Sequence, residues 1–470
     1  MSQYDTAVVG SGPNGLAAAI TLAQAGLSVV VLEADEQVGG GARTRELTEP
    51  GFLHDVCSAI HPMGISSPFL RTLDLESHGL QWVQPDAPLA HPLDDGPAAM
   101  LERDLDATAA TLGVDGKKWK SWMSTWVPRW EGLCADALAP LGVPAHPIWM
   151  AQFGLSAFRA ADGLAKSRFS GPEAQALFAG LAGHSVMPLE MSPSSAIGIM
   201  LGIAGHAVGW PMPKGGSGAI STALASLFES LGGHIETGVR VTHIDQVPTD
   251  GPILFETAPA RLVDIAGDAL PLGYRKKLQA YRHGPGVFKI DYALNAPIPW
   301  RDPAVSRGGT VHLGGTLAEI AASEAKCWKG EHSDAPYVLV AQQSLFDDSR
   351  APTGKHTGWA YCHVPNGSSK DMTTAIEAQL ERFAPGFKDT VIAKHSMHSL
   401  DFEAYNANYI GGDVNGGMPT IDQLFTRPTA TTYRTPNKRL YLCSAATPPG
   451  GGIHGMCGHF AAKAVLSDGL

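Results

Sequence analysis

The chain has 470 residues, enough for two or three domains or one large composite fold at about 100–200 residues each. Hydrophobic residues make up 44% and charged residues only 17%, which excludes a disordered, highly solvated chain. A net charge of −11 argues against a nucleic-acid partner, whose phosphates need clustered Lys and Arg.

The first forty residues read as strand, turn, helix, strand. Thr6–Val9 is a short apolar strand, Leu16–Gln24 a small-residue helix stopped by Gly26, and Ser28–Leu32 a second strand. Between them Gly10-Ser11-Gly12-Pro13-Asn14-Gly15 is a GxGxxG turn, and Glu33 ends the second strand 18 residues after Gly15. This is the arrangement that binds a dinucleotide. The first glycine makes the tight turn, the second lets backbone approach a pyrophosphate, and the third lets the helix pack closely. The helix start offers free N–H groups to the phosphates, and a carboxylate at Glu33 suits a ribose diol. Shortly beyond it, Gly39-Gly40-Gly41-Ala42-Arg43-Thr44 gives a second Gly-rich turn with a cation. Such a turn suits a cofactor extending past its pyrophosphate, with Arg43 near the pyrophosphate or the flavin, or else in a structural ion pair.

Residues 60–205 have a mostly helical pattern broken by prolines. Trp119, Trp122, Trp126 and Trp130 share one helical face until Pro128 disturbs it. Such a stripe suits a core; the alternative is a face meeting lipid or a greasy substrate, helped by Lys117, Lys118 and Lys120. Met191–Pro213 is 23 residues without formal charge, long enough to span a bilayer, but its prolines and glycines favour a buried helix lining a cavity. Gly218–Leu231 then reads as a helix, and the alternation of Val239–Ile244 as a strand. Gly216-Ser217-Gly218 is the best trace of a second dinucleotide turn, but Ser221 stands where its third glycine belongs. Flavin without a dedicated NAD(P)H domain is therefore the expected cofactor arrangement. Val287–Leu294, Tyr337–Gln343 and Arg439–Cys443 read as strands and His459–Leu466 as a final helix. The fold class is α/β, an α+β composite. The six cysteines form no CxxC and no metal-ligand spacing, so neither a dithiol nor a metal centre is expected. The N-terminus carries no signal-like segment, from which a cytoplasmic setting is expected, with surface membrane association left open.

These motifs resemble the phytoene desaturase-like flavoproteins, relatives of the amine oxidases. The resemblance rests on Gly10–Gly15, Glu33, the run Gly39–Thr44, the segment Pro213–Ala219 and the C-terminal turn Pro448–Gly458. Gly284–Leu294 with Pro299-Trp300 looks like the narrower branch of pyridine nucleotide-disulphide oxidoreductase domain-containing proteins. The resemblance implies a Rossmann-like FAD domain from residues 1–75, 205–285 and 430–470, with a substrate domain from 76–204 and 286–429. It implies non-covalent FAD held by Gly10, Gly12, Pro13, Asn14, Gly15, Glu33, Ala34, Gly40, Gly41, Ala42 and Arg43. Val241 would meet the adenine, while Ala445, Gly452, Ile453 and His454 would lie along the flavin's far end.

The implied chemistry is hydride transfer at a CH–CH bond of an apolar, lipid- or isoprenoid-like substrate. Catalytic candidates are His454, inside the flavin turn, and His312, on a strand. Amine oxidases often carry a lysine linked through water to the flavin, and Thr310–Gly315 contains none. Lys289, beside Asp291, is the nearest alternative and reads as structural. Cys457 raises the idea of covalent flavin attachment but reads as a small buried residue. The rival readings are an amine or amino-acid oxidase, or a non-catalytic binder of apolar groups on the same fold.

Overall fold

The computed structural model describes residues 4–469. Five short strands form a parallel sheet in the order Leu440–Leu442, Ile253–Phe255, Thr6–Val9, Val29–Leu32, His234–Glu236. Four of them are buried on both faces and are nearly all apolar, as a sheet covered by helices requires. In register, Val8 sits between Val31 and Leu254, and Leu254 beside Tyr441. The helix Pro13–Gln24 begins on Pro13, whose missing N–H costs nothing there, and packs against Gly218–Ser230 and the last helix Met456–Ser467. Sequence positions far apart thus share one sheet and bring their carboxyl ends to one edge.

A second, mixed sheet has seven strands in the order Val391–Met397, Gly286–Leu294, His356–Val364, Val338–Ala341, Gly308–Leu313, Ala87–His91, Ala99–Leu101. The last two lie inside the stretch read as helical. They are short; they pair with each other, and Ala87–His91 joins the sheet through the distant Gly308–Leu313, so local periodicity does not announce them.

Helices Gly116–Trp126, Pro172–Gly183 and Ser195–Ala207 build an apolar layer. The tryptophans are its core, not a lipid-facing surface. Trp119 is fully buried and donates from Nε1 to His206 Nε2 at 3.0 Å, and Trp130 Nε1 donates to Ser66 Oγ at 3.0 Å. Lys118 and Lys120 are paired with Asp115 and Asp106. Ser195–Ala207 is the buried helix of the charge-free stretch, and no helix among the described residues is long and apolar enough to cross a membrane.

Two polar hubs fasten the long connections. Asp55, fully buried, accepts from Thr44 Oγ1 (2.9 Å), the Ser217 N–H (2.7 Å) and Arg350 Nη2 (2.8 Å). Lys289 is buried and pairs with Asp291 within its strand.

Candidate FAD site

A cavity of about 650 Å³ opens along the carboxyl edge of the five-stranded sheet, where ligands bind in open α/β folds. Its floor is Gly10–Asn14, and one wall is Glu33–Asp35 with Gly40, Gly41 and Arg43. Gly15 lies behind the floor: a Cβ there would meet the Gly10 carbonyl oxygen at 2.1 Å, so its role is close helix–strand packing. Gly12 lines the cavity at the start of the helix, and its missing Cβ leaves the space that the Glu256 carboxyl group takes, 2.5 Å from where a Cβ would fall.

Glu33 closes the second strand with both oxygens engaged. Oε2 accepts from the Ser11 N–H (2.9 Å) and Oγ (2.6 Å), and Oε1 from the Asp35 N–H (2.9 Å) and Arg43 Nη2 (3.2 Å). Arg43 is almost wholly buried; its Nε donates to the Gln37 carbonyl at 2.8 Å, and its guanidinium lies 5.5 Å from the Tyr405 ring centre. Of the placements open in the sequence, the ion pair with Glu33 and Asp35 is present, and the side chain still lines the cavity.

Val239–Thr242 form the opposite lip, and Val241 lies there. This segment is not the strand its alternation suggests. The strand after the helix Gly218–Ser230 is His234–Glu236; Gly238, at φ 70°, then turns the chain so that the Val239 N–H donates to the Glu33 carbonyl at 2.8 Å. Polar–apolar alternation is the same for a strand edge and for a loop hooked across one.

The far end of the cavity is Ser444–Ala446 with Gly452 and Ile453. Arg427, buried and unforeseen, clamps this end: Nη2 donates to the Ala445 carbonyl at 2.9 Å and the Gly416 carbonyl at 3.2 Å. Ile453 abuts Gly64, and Ile60, Met63, Trp82 and Tyr361 are partly open apolar side chains packed on the same core as Ile453. From Val56 to Leu70 the chain carries no Asp, Glu, Lys or Arg. Burial holds His61 down to about 4, so its imidazole is neutral where it meets Ser217 Oγ at 2.8 Å.

Three expected residues do not line the cavity besides Gly15: Ala42, His454 and His312. His454 is buried, its Nδ1 accepts the Met456 N–H at 3.1 Å, and burial pushes it down to about 4. His312 is fully buried with Nε2 at 2.9 Å from His184 Nε2, and a Cβ on Gly180 would fall 2.5 Å from its Nδ1. It packs against the helix Pro172–Gly183 rather than the cavity. Cys457 turns its sulfur to the Thr447 and Gly450 carbonyls, at 3.4 and 3.3 Å. Among the described residues, no group of three or more His, Cys, Asp or Glu is placed to hold a metal ion.

The residue the sequence concealed is Glu256. It follows the strand Ile253–Phe255, and Oε1 accepts the Asn14 N–H at 3.1 Å, at the floor of the cavity. It carries no motif; its only signal is its place at the carboxyl end of a strand neighbouring Thr6–Val9.

The cavity fits a dinucleotide: a glycine-rich floor at a helix start, a carboxylate on the adjoining strand, and an apolar far end. A family model for flavin-containing amine oxidoreductases matches residues 14–465. The pyridine nucleotide-disulfide oxidoreductase domain-containing protein 2 of Rattus norvegicus is 27% identical, over 99% of this chain and 94% of its own. A lycopene-forming phytoene desaturase of Pantoea ananas is 26% identical over 54% of this chain and 55% of its own. In fold, an oxidoreductase of Methanosarcina mazei superposes with a TM-score of 0.67 at 19% identity, over 98% of this chain and 99% of that one. The chain belongs to the flavin-containing amine oxidoreductase family and is a FAD-dependent oxidoreductase.

Proposed function

We propose that the protein transfers hydride between FAD and a CH–CH bond of an apolar, lipid- or isoprenoid-like substrate, in desaturation, saturation or isomerisation. The observation that carries this is the character of the far end of the cavity. Ile453 lines that end, its carbonyl borders Gly64 on a run without formal charge, and the neighbouring imidazole of His61 is neutral. Bound flavin supplies a two-electron hydride acceptor or donor at N5. The chain's share is to hold the substrate carbon there and to exclude water, which uncharged, apolar walls do well and a charged acid–base pair is not needed for. The likeness to a phytoene desaturase supports the same class.

The proposed partner is an apolar small molecule, drawn from a membrane surface. Ile148 and Leu155, on the uncharged helix Pro147–Ala157, are 71% and 78% exposed, and Val143 and Phe158 flank them in the open. The amine-oxidase reading has the family model on its side but no charged residue on the run beside Ile453, and a non-catalytic binder has no use for the intact cofactor floor.

The test is anaerobic bleaching of the flavin absorbance by a panel of isoprenoids, fatty acyl compounds and amines, with re-oxidation of the reduced protein by unsaturated members of the panel. Reaction with apolar compounds supports the proposal. Bleaching by amines alone replaces it with amine oxidation.

A further inference from the structure

The floor of the cavity already holds an acid. Glu256 Oε1 accepts the Asn14 N–H at 3.1 Å, and the N–H groups of Gly12 and Gly15 also face the carboxyl group. A Cβ on Gly12 would fall 2.5 Å from Oε1 and 2.8 Å from Oε2, so the glycine that leaves room for a pyrophosphate also leaves room for this side chain. These backbone donors are the ones a GxGxxG turn offers to phosphate. Oε2 is buried and has no hydrogen-bond partner.

The surroundings offer the charged form little. Glu33 faces it from the second strand as a like charge, and the Cys443 and Cys457 thiols face it from the last strand and last helix. Of the cations that line the same cavity, Arg43 is held by Glu33 and Asp35, Arg45 by Asp35, and Arg261 by Asp264 and Glu403, while Arg240, exposed on the opposite lip, makes no ion pair with Glu256. Among the described residues, no ion pair includes Glu256. Burial first, then Glu33, pushes it up to about 8, against the pull of the three N–H groups.

We propose that Glu256 is a cofactor-binding residue that couples FAD binding to uptake of one proton. The pyrophosphate settles in the cradle only when this carboxyl is protonated. Protonated, the carboxyl keeps an acceptor oxygen for the backbone N–H groups and presents a hydrogen-bond donor, instead of a second negative charge, to the diphosphate. Above the carboxyl's pKa the proton comes from solvent with FAD and returns to solvent when FAD leaves; no other bond changes. An ionised carboxylate in the same place would instead set a like charge against the diphosphate at hydrogen-bond range.

The experiment is FAD binding to the full-length apoprotein from about pH 6 to about pH 9, by calorimetry in two buffers of different ionisation enthalpy. The Kd is expected to be flat at the acid end and to rise about tenfold per pH unit at the alkaline end. Proton uptake should climb from near zero toward one per FAD over the same range. Glu256→Gln keeps the acceptor and a donor but cannot titrate, so its Kd and proton count should be flat throughout. If that variant does not fold, Glu256→Ala serves the same comparison. A wild-type Kd constant to within about twofold across the range, or a variant profile that superimposes on the wild-type slope, overturns the proposal. FAD binding at the acid end tests the cofactor assignment by itself, so failure there is distinguishable from failure of the slope.

Discussion

Arg43 donates from Nη2 to Glu33 Oε1 at 3.2 Å, with both side chains in the wall of the cofactor cavity. The same carboxylate orders the Ser11 and Asp35 N–H groups, so one residue shapes the floor and the wall together. Glu33→Ala removes a charged hydrogen-bond acceptor, which costs roughly 1.5–3 kcal/mol. Weaker FAD retention is expected, with a lower Tm because Arg43 keeps only Asp35 as its carboxylate partner. An unchanged Kd for FAD in the purified variant would refute the assignment.

A second dinucleotide has no cradle at the other glycine pair. Where Gly216-Ser217-Gly218 opens a helix, the Ser217 N–H already donates to Asp55 at 2.7 Å and the Gly218 N–H to Thr44 Oγ1 at 3.0 Å. NADH and NADPH should therefore reduce the flavin poorly. Stopped-flow absorbance decides it, and rapid stoichiometric reduction by either would contradict the expectation.

Legibility of the site follows the range of the physics. Gly10–Gly15 and Glu33 were readable because a strand, a turn and a helix start are local, and glycine is demanded by close backbone approach. Glu256 and Arg427 were not: each reaches the cavity from a distant segment, Glu256 behind a strand of three residues. His312 is a candidate by its strand position alone. Which face of a strand meets a ligand depends on the helix packed against it, here Pro172–Gly183, and nothing in Val311–Leu313 states that.

Gly452 lines the far end of the cavity at φ 130°, where an L side chain is strained, and a Cβ there would fall 2.9 Å from His454 Cδ2. Gly452→Val should lose flavin while circular dichroism reports the fold intact. His454→Ala should be milder and retain flavin, since the imidazole does not line the cavity. The Met456 N–H loses its acceptor, so a Tm drop is expected instead. Wild-type flavin content in Gly452→Val would overturn the placement of this turn.

Buried neutral histidines make the fold acid-sensitive above the carboxylate range. Burial holds His54 and His184 down to about 3, and His61, His91 and His206 to about 4. Between these values and the ordinary 6.5, the unfolded chain binds protons that the folded chain refuses. Stability is then present above about pH 6.5 and lost as pH falls toward 4, by about 1.4 kcal/mol per pH unit for each fully differential proton. Glu256, raised to about 8, and Asp291, raised to about 6, both by burial, oppose this with two protons against several. Tm should fall steadily from about pH 7 to about pH 5; a flat profile would mean the imidazoles are open to water.

The exposed apolar helix offers the last test. Pro147–Ala157 carries no charge, and Ile148 and Leu155 point outward where a soluble surface normally bears polar groups. Arg159 follows it with its guanidinium on the surface, bonded to Gly163 and Ser167. An apolar face edged by a cation suits a shallow seat in an anionic bilayer interface. The protein should float with vesicles containing phosphatidylglycerol and less with phosphatidylcholine alone. A double substitution, Ile148→Glu with Leu155→Glu, should abolish flotation while leaving FAD content unchanged, because neither side chain lines the cofactor cavity. Equal flotation of the double variant would place any membrane contact elsewhere. No flotation of the wild type would remove the membrane as the source of substrate, and would leave the hydride-transfer proposal to its own test by flavin bleaching.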